Sequence, residues 1–188
     1  MARTFFNLQM AFLSPPDDEL RKRVRDLIVS SDARQTADEK RIMYTRLRRI
    51  IVPALPQLQR VAWDLVRTDR AESDYQEWYA DLEDVSDVPD LSANQATPTE
   101  QHTIVTVILL AERGTNADKE LGDMCDIPEA LWLWRSTCGR LLAGLKDLSF
   151  TSVHGDGLYL QPAPGQPGPT AADMDEGWDN LALVNESP

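Results

Sequence analysis

The side chains best suited to proton transfer in this sequence are a histidine and a carboxylate that lie close together. His154 and Asp156 are separated by one glycine in the segment His-Gly-Asp-Gly. An imidazole titrates near neutral pH, and a carboxylate beside it can orient it as the base for a nucleophile such as Cys125 or Cys138. His154 and Asp156 are therefore the catalytic candidates. We favour the alternative interpretation, in which both side chains bind backbone groups of a tight turn.

The short motifs of the common enzyme classes are absent from the sequence. It contains no HExxH, GxSxG, Walker A or GxGxxG pattern. The two cysteines are 13 residues apart and have no third or fourth partner, which matches neither a zinc site nor a disulfide framework. We interpret both thiols as small buried apolar groups. The sequence thus predicts no metal and no cofactor, and it favours a protein that is not an enzyme.

Carboxylates are concentrated in one segment, which contains Asp81, Glu83, Asp84, Asp87 and Asp90. Oxygen ligands of this kind bind hard cations, but the segment lacks the glycine and the spaced ligand positions of a calcium loop. We therefore favour a solvated acidic loop. The open alternative is an enzyme without a sequence signature, which uses these carboxylates or the histidine and aspartate named above.

Basic and acidic residues are distributed unevenly along the chain, whose formal net charge is −12. Residues 1–70 carry 14 basic and 9 acidic side chains, whereas residues 71–188 carry 5 and 22. The basic helices can pack against acidic segments of this chain, or they can meet an anionic partner. For the second case the anion-binding candidates are Arg41, Arg48 and Arg49. Nucleic acid is disfavoured as the partner, because the whole chain is acidic and has no aromatic stacking platform or recognition-helix motif.

The C-terminal segment, residues 162–188, is acidic and begins with a run rich in proline and glycine. Such a run holds neither a helix nor a central strand, so we predict a flexible tail that is dispensable for folding. Near its end, apolar side chains lie among acidic ones, and a segment of this kind can dock back on this protein or enter a partner's groove. The candidate partner-binding residues are Trp178, Leu181, Leu183 and Val184.

Residues 1–161 are predicted to form one domain whose strands position these candidates. Residues 5–13 and 103–112 are apolar at both alternating positions, which is typical of strands covered on two faces. A closing hairpin is predicted around the turn His154–Gly157, because glycine supplies the positive φ angles that such a turn requires. Its two strands are residues 149–153 and 158–161.

Helical spacing of apolar residues predicts the remaining elements, which are residues 17–30, 37–66, 75–82 and 128–145. The second of these helices begins at a capping box, Thr36 and Glu39, and must kink or restart at Pro53 and Pro56, which predicts two helical pieces with one buried face. Between the third helix and the second strand lies a long polar loop, at about residues 84–101. The predicted fold class is α+β, with a three- or four-stranded sheet covered by amphipathic helices.

Several segments of the chain resemble an uncharacterised family of cyanobacteria and plastids that is usually associated with membranes. They are Leu8-Gln9-Met10-Ala11-Phe12-Leu13, Tyr75-Gln76-Glu77-Trp78-Tyr79 and the strand Thr103–Ala111 with its following Leu-rich helix. The resemblance covers about residues 5–160. The chain departs from the family in lacking a hydrophobic anchor, and it has Asp147–Ser152 in place of a Glu-containing strand before Trp-Thr-Pro. The resemblance implies an α+β fold and no activity.

The longest apolar run, residues 104–111, is too short to cross a bilayer, and the first ten residues lack a signal-peptide pattern. We therefore expect a cytoplasmic protein without a membrane span.

By exclusion, the leading hypothesis is a non-enzymatic interaction or accessory protein, which engages another protein through its tail or through a sheet or helix face. The alternatives are an enzyme without a signature and a binder of anions or nucleic acid, and self-association stays open.

Overall fold

The described part of the chain contains one sheet of five antiparallel strands in the order β4-β3-β1-β2-β5. The central strand β1 (Arg3–Leu13) pairs with β2 (Leu58–Val66) on one side and with β3 (His102–Glu112) on the other. The edge strands are β4 (Val153–Gln161), next to β3, and the two-residue β5 (Ala182–Leu183), next to β2. The structure is a computed structural model that describes residues 2–14, 19–31, 36–83, 101–162, 166–178 and 180–185.

Six α-helices lie in these ranges: α1 (Glu19–Val29), α2 (Ala37–Ile51), α3 (Ala71–Glu83), α4 (Asn116–Cys125), α5 (Arg135–Leu145) and α6 (Ala171–Gly177). Short 3₁₀ helices span Val52–Gln57, Glu129–Leu131 and Phe150–Ser152. The predicted capping box of α2 is confirmed, since the Thr36 side chain accepts from the Glu39 N–H at 3.3 Å and Glu39 accepts from the Thr36 N–H at 2.7 Å. None of the helices in the described ranges has the length and apolar character that crossing a bilayer requires.

The two faces of β1 are covered by different layers of structure. Alternate residues from Phe6 to Phe12 are buried in the main core, which α1, α2, α4 and α5 complete. On the opposite face, Phe5 makes an edge-to-face contact with Tyr75 of α3, with ring centroids 5.9 Å apart. Ala11 of the same face lies in a separate cluster with side chains from the C-terminal segment. The sheet is therefore buried on both faces, as the apolar pattern of β1 predicts.

The predicted α+β class is confirmed, but the described sheet has five strands rather than three or four. The additional central strand is β2, in a segment whose spacing predicted a continued helix. Pro53 and Pro56 lie in the 3₁₀ helix between α2 and β2, where the missing N–H groups of proline end the α-helix. Residues 60–66 then pair with β1 in a register that places Phe6 beside Leu65. Pairing with the central strand thus overrides the helical spacing of the side chains.

Residues 153–161 form one strand, where the sequence predicted a hairpin. Gly155 and Gly157 lie within this strand, and the one positive φ among the described residues is at Gly114, at 82°. Gly155 is needed for a close approach instead, because a Cβ there would lie 2.5 Å from the Tyr75 hydroxyl oxygen. The prediction of the glycine-rich turn was therefore wrong. Close packing against Tyr75, rather than a turn, is the reason for glycine at position 155.

The described part of the C-terminal segment lies against the sheet, where a flexible tail was predicted. The Gly168 N–H donates to the Gln101 side-chain oxygen at 2.8 Å, and the His102 N–H donates to the Pro169 carbonyl at 2.9 Å. Further along, α6 is followed by β5, which extends the sheet beside β2. Of the two alternatives given for the apolar part of this segment, the structure shows the one in which it docks on this protein itself.

Some of the predicted features lie partly or wholly outside the described residues. Nearly all of the predicted polar loop, residues 84–100, lies outside the described residues, and so does the proline-rich entry to the first predicted helix at residues 15–18. In the C-terminal segment, residues 163–165, 179 and 186–188 also lie outside them.

Candidate functional site

A groove of about 340 Å³ runs between α1 and α2 on the surface of the main helical layer. We call it the arginine groove, and its lining residues are Arg23, Asp26, Leu27, Ser30, Arg46, Arg49 and Ile50. Three of them come from α1 and three from α2, and Ser30 directly follows α1. Among the described residues, the groove is thus built by these two adjacent helices and the residue after the first.

The helical periodicity of α1 and α2 explains why arginines border this groove. Leu27 of α1 and Leu47 of α2 are buried in the core, at 5% and 0% exposure, so both helices direct that face toward the sheet. Arg46 and Arg49 are three residues apart on α2 and therefore share one side of the helix. Arg23 is the corresponding wall residue on α1. The guanidinium groups thus border the line along which the two helices meet.

The three arginines of the groove have no ionic partner within the part of the chain that the structure describes. Among the described residues, none of Arg23, Arg46 and Arg49 forms an ion pair or a hydrogen bond through its side chain. The one carboxylate in the groove, Asp26, has its ion-pair contact with Arg25, at 3.4 Å. Three exposed positive charges therefore border one groove of a chain whose net charge is −12.

Two other arginines in the described ranges show the contrast, because their charges are balanced by carboxylates. Arg67 contacts Asp118 at 3.1 Å, and Arg70 contacts Asp74 at 3.3 Å. An unbalanced cluster of guanidinium groups attracts anions, and the flat guanidinium can donate two parallel hydrogen bonds to a carboxylate or a phosphate.

The floor of the groove is apolar. Leu27 is almost fully buried there and Ile50 is half-buried. The Ser30 hydroxyl donates to the Leu27 carbonyl at 3.0 Å, so it satisfies a backbone group of its own helix. The site therefore combines a charged border with an apolar centre, which is the composition of a protein-binding surface with a basic rim.

The sequence located this basic region, but two of its three anion-binding candidates lie outside the groove. Of Arg41, Arg48 and Arg49, the groove contains Arg49 alone. Arg41 is paired with Asp38 at 3.0 Å, and the Nε atom of Arg48 is buried. Arg23 and Arg46 were missed, because the helix-helix packing decides which arginines meet. The spacing of Arg46 and Arg49 was the available sequence signal.

The catalytic candidates His154 and Asp156 are both on β4 and have different partners. The His154 Nε2 atom lies 3.3 Å from the Glu112 carboxylate on an exposed edge. Asp156 contacts Lys40 of α2 and accepts a hydrogen bond from the Tyr44 hydroxyl at 3.4 Å. The structure thus does not join the histidine and the aspartate into one acid–base pair.

The cysteines are poor nucleophiles in this environment. Burial raises the pKa of Cys125 to about 12, and it raises the pKa of Cys138 to about 12 as well. Both thiols are therefore protonated at neutral pH, and the thiolate is the reactive form. Cys138 agrees with the interpretation of a small buried apolar group, whereas Cys125 is partly buried against the main core.

The acidic candidates form no ligand set in the described residues. Asp81 and Glu83 lie on α3, whereas Asp84, Asp87 and Asp90 lie outside the described residues. Within the part of the chain that the structure describes, no three histidine, cysteine or carboxylate side chains are grouped as metal ligands.

The partner-binding candidates of the C-terminal segment are mostly used inside the protein. Leu181 is 2% exposed in the cluster around Ala11, and Trp178 packs against the same cluster. Val184 packs against the main core, and its N–H donates to the Gln59 carbonyl at 2.9 Å. Leu183 is 63% exposed and is the one side chain of this set that faces solvent freely.

Comparison with protein-family models, with curated proteins and with solved structures finds no match for this chain. The family resemblance drawn from the sequence therefore stays a prediction, and functional inference rests on the geometry of the sites.

Proposed function

We propose that this chain is a non-enzymatic interaction protein that binds an anionic partner through the arginine groove. The observation that carries the proposal is the set of three exposed guanidinium groups that have no carboxylate partner among the described residues. In an acidic chain these charges would be neutralised most simply by internal pairing, as they are at Arg67 and Asp118. The groove instead leaves them available to an external anion.

A binding function fits the shape of the site better than catalysis does. The groove lies open on a helix surface and has no histidine, cysteine or tyrosine in its lining. Its two groups that could serve in acid–base or nucleophilic catalysis have other partners, since the Ser30 hydroxyl donates to the Leu27 carbonyl and Asp26 contacts Arg25. The enzyme hypothesis has less support also because His154 and Asp156 are held by separate partners.

Retention on immobilised heparin, a sulfated polyanion, tests the proposal directly. An acidic protein is repelled from such a column unless it has a local basic site, so retention at low salt is expected for the wild type. The double variant Arg46→Glu, Arg49→Glu should flow through. The matched control is Lys119→Glu with Lys146→Glu, which changes the net charge equally at surface positions outside the groove and should remain bound.

Two results would contradict the proposal. One is a wild-type protein that flows through at low salt, since the groove would then hold no polyanion. The other is equal loss of retention in both double variants, because net charge rather than the groove would then determine binding. Thermal unfolding of each variant confirms that the exposed substitutions leave the fold intact.

A further inference from the structure

We infer that the natural occupant of the arginine groove is an acidic polypeptide segment that carries apolar side chains among its carboxylates. This inference rests on the proposed function and specifies the chemistry of the partner. Three observations carry it: the apolar floor, the exposed apolar residues that continue the groove, and the carboxylate within it.

The apolar floor separates this groove from a site for a bare anion. A phosphate or sulfate site is lined by donors such as backbone N–H groups, whereas Leu27 and Ile50 offer none through their side chains. Covering them with an apolar side chain of the partner removes that surface from water. Carboxylates that flank this side chain then reach the arginines at the border of the groove.

Exposed apolar residues extend the surface beyond the groove along both helices. Ile42 is 52% exposed and lies one turn before Arg46, on the same side of α2. Val29 is 79% exposed and lies three residues after Asp26 on α1. Large side chains exposed next to an unpaired basic cluster are typical of a surface that a partner covers. An acidic segment with apolar side chains at helical or alternating spacing complements both properties.

Nucleic acid fits the same surface less well. The groove contains no aromatic ring on which a base could stack, and Asp26 would face the phosphate backbone with a like charge. A polypeptide has backbone N–H groups that can donate to this carboxylate. Asp26 therefore opposes a phosphate backbone that runs along the groove, whereas a peptide can place its carboxylates beside the arginines and a backbone N–H at Asp26.

Fluorescence anisotropy with labelled twelve-residue peptides of defined composition tests the inference. The first peptide combines glutamate with leucine at helical spacing, and the second has serine in place of each leucine. A labelled single-stranded oligonucleotide of twelve nucleotides serves as the competing polyanion. We expect the Glu/Leu peptide to bind about tenfold more tightly than the Glu/Ser peptide, because leucine covers the floor. The oligonucleotide should bind more weakly than either peptide.

Substitutions in the protein separate the contribution of the arginines to peptide binding from that of the apolar side chains. Arg46→Glu with Arg49→Glu should weaken every anionic probe, whereas Ile42→Ser should weaken the Glu/Leu peptide by about threefold and leave the Glu/Ser peptide unchanged. Leu183→Ser is the matched control, since Leu183 is 63% exposed but lies outside the groove, and it should leave the affinity for both peptides unchanged.

The outcomes distinguish this inference from the proposed function. Tighter binding of the oligonucleotide, sensitive to the arginine substitutions, would overturn the peptide inference and leave an anion-binding groove. Equal affinity for the two peptides would also overturn it, because the apolar floor would then contribute nothing. If none of the three probes binds and the protein also flows through the heparin column, both the peptide inference and the proposed function are overturned.

Discussion

The ammonium group of Lys40 on α2 contacts the carboxylate of Asp156 on the edge strand β4. One helical turn further along α2, the Tyr44 hydroxyl donates to the second oxygen of the same carboxylate at 3.4 Å. The side chains of Lys40 and Asp156 are mostly buried, with 19% and 13% of their surfaces exposed. Because α2 also carries Arg46 and Arg49, this contact fixes one wall of the arginine groove relative to the sheet.

Replacement of Lys40 by methionine should lower the free energy of unfolding by about 1–3 kcal/mol, because Asp156 would keep a mostly buried charge without its partner. Urea unfolding of the two single variants, Lys40→Met and Asp156→Leu, and of the double variant gives the coupling between them. The double variant should be more stable than the sum of the single losses predicts. Simple additivity would show that the contact contributes nothing.

The buried tyrosines should ionise only at unusually high pH in the folded protein. Burial, together with the charge of Asp156, raises the pKa of Tyr75 to about 12 and raises the pKa of Tyr44 as well. Burial also raises the pKa of Tyr159, with smaller effects from Tyr79 and Tyr75. A pH titration followed by tyrosinate absorbance should therefore show all three protonated at pH 10, where unfolded tyrosine is about half ionised.

These raised pKa values also predict how stability changes with pH. A group whose pKa is higher in the folded state stabilises that state fully below the unfolded pKa, and this contribution is lost as the pH rises toward the folded value. Unfolding in urea should thus become easier from about pH 10 upward. Half-ionisation of Tyr44, Tyr75 or Tyr159 near pH 10 in the folded protein would contradict the burial of these rings.

Asp118 should contribute to stability at neutral pH and lose this contribution in acid. Burial alone would raise its pKa, but the Thr4 hydroxyl at 2.6 Å, the Gly114 N–H at 2.9 Å and the charges of Arg67 and Arg113 together lower it. A lowered pKa gives stability that is present above the unfolded value of about 4 and disappears as the pH falls through the folded value.

The variant Asp118→Asn measures this contribution. At pH 7 it should be less stable than the wild type by about 1–2 kcal/mol, since the neutral amide binds Thr4, Gly114 and Arg67 less strongly. Urea unfolding at a series of pH values should show the difference shrinking below about pH 4. A difference that stays constant over this range would exclude the ionised carboxylate as its source.

The C-terminal segment should be required for stability, contrary to the expectation from its sequence. Met174 is fully buried with Ala11 and Ile104, so Met174→Ala should lower the free energy of unfolding by about 2–5 kcal/mol. The exposed Leu183 provides the control, and Leu183→Ala should change stability by less than about 0.5 kcal/mol. Unchanged urea unfolding of Met174→Ala would mean that this segment is dispensable in solution.

The parts of the fold that follow from local chemistry could be predicted from the sequence. β1 and β3 are apolar at both alternating positions because both of their faces are covered, and the Thr36 capping box fixes the start of α2. β2 could not be predicted, because the apolar side chains of residues 58–66 fit helical spacing as well. Pairing with β1, which is distant in sequence, decides between the two.

The candidate site shows the same limit. Its basic character was evident from the arginine content of residues 1–70, but the members of the groove depend on how α1 and α2 meet. Arg41 is neutralised by Asp38 on its own helix, a pairing that the three-residue spacing permits. Arg46 and Arg49 are neighbours through their three-residue spacing on α2, whereas Arg23 of α1 joins them only through packing of the two helices.

Nuclear magnetic resonance titration of the ¹⁵N-labelled protein with the Glu/Leu peptide tests the central claim most directly, because it locates the bound anion. The account predicts that the backbone amides of the groove residues and the side-chain Nε–H signals of Arg23, Arg46 and Arg49 shift together, saturate, and return when salt is added. Shifts confined to Arg113, Arg140 or other residues outside the groove, or no shift at any peptide concentration, would contradict it.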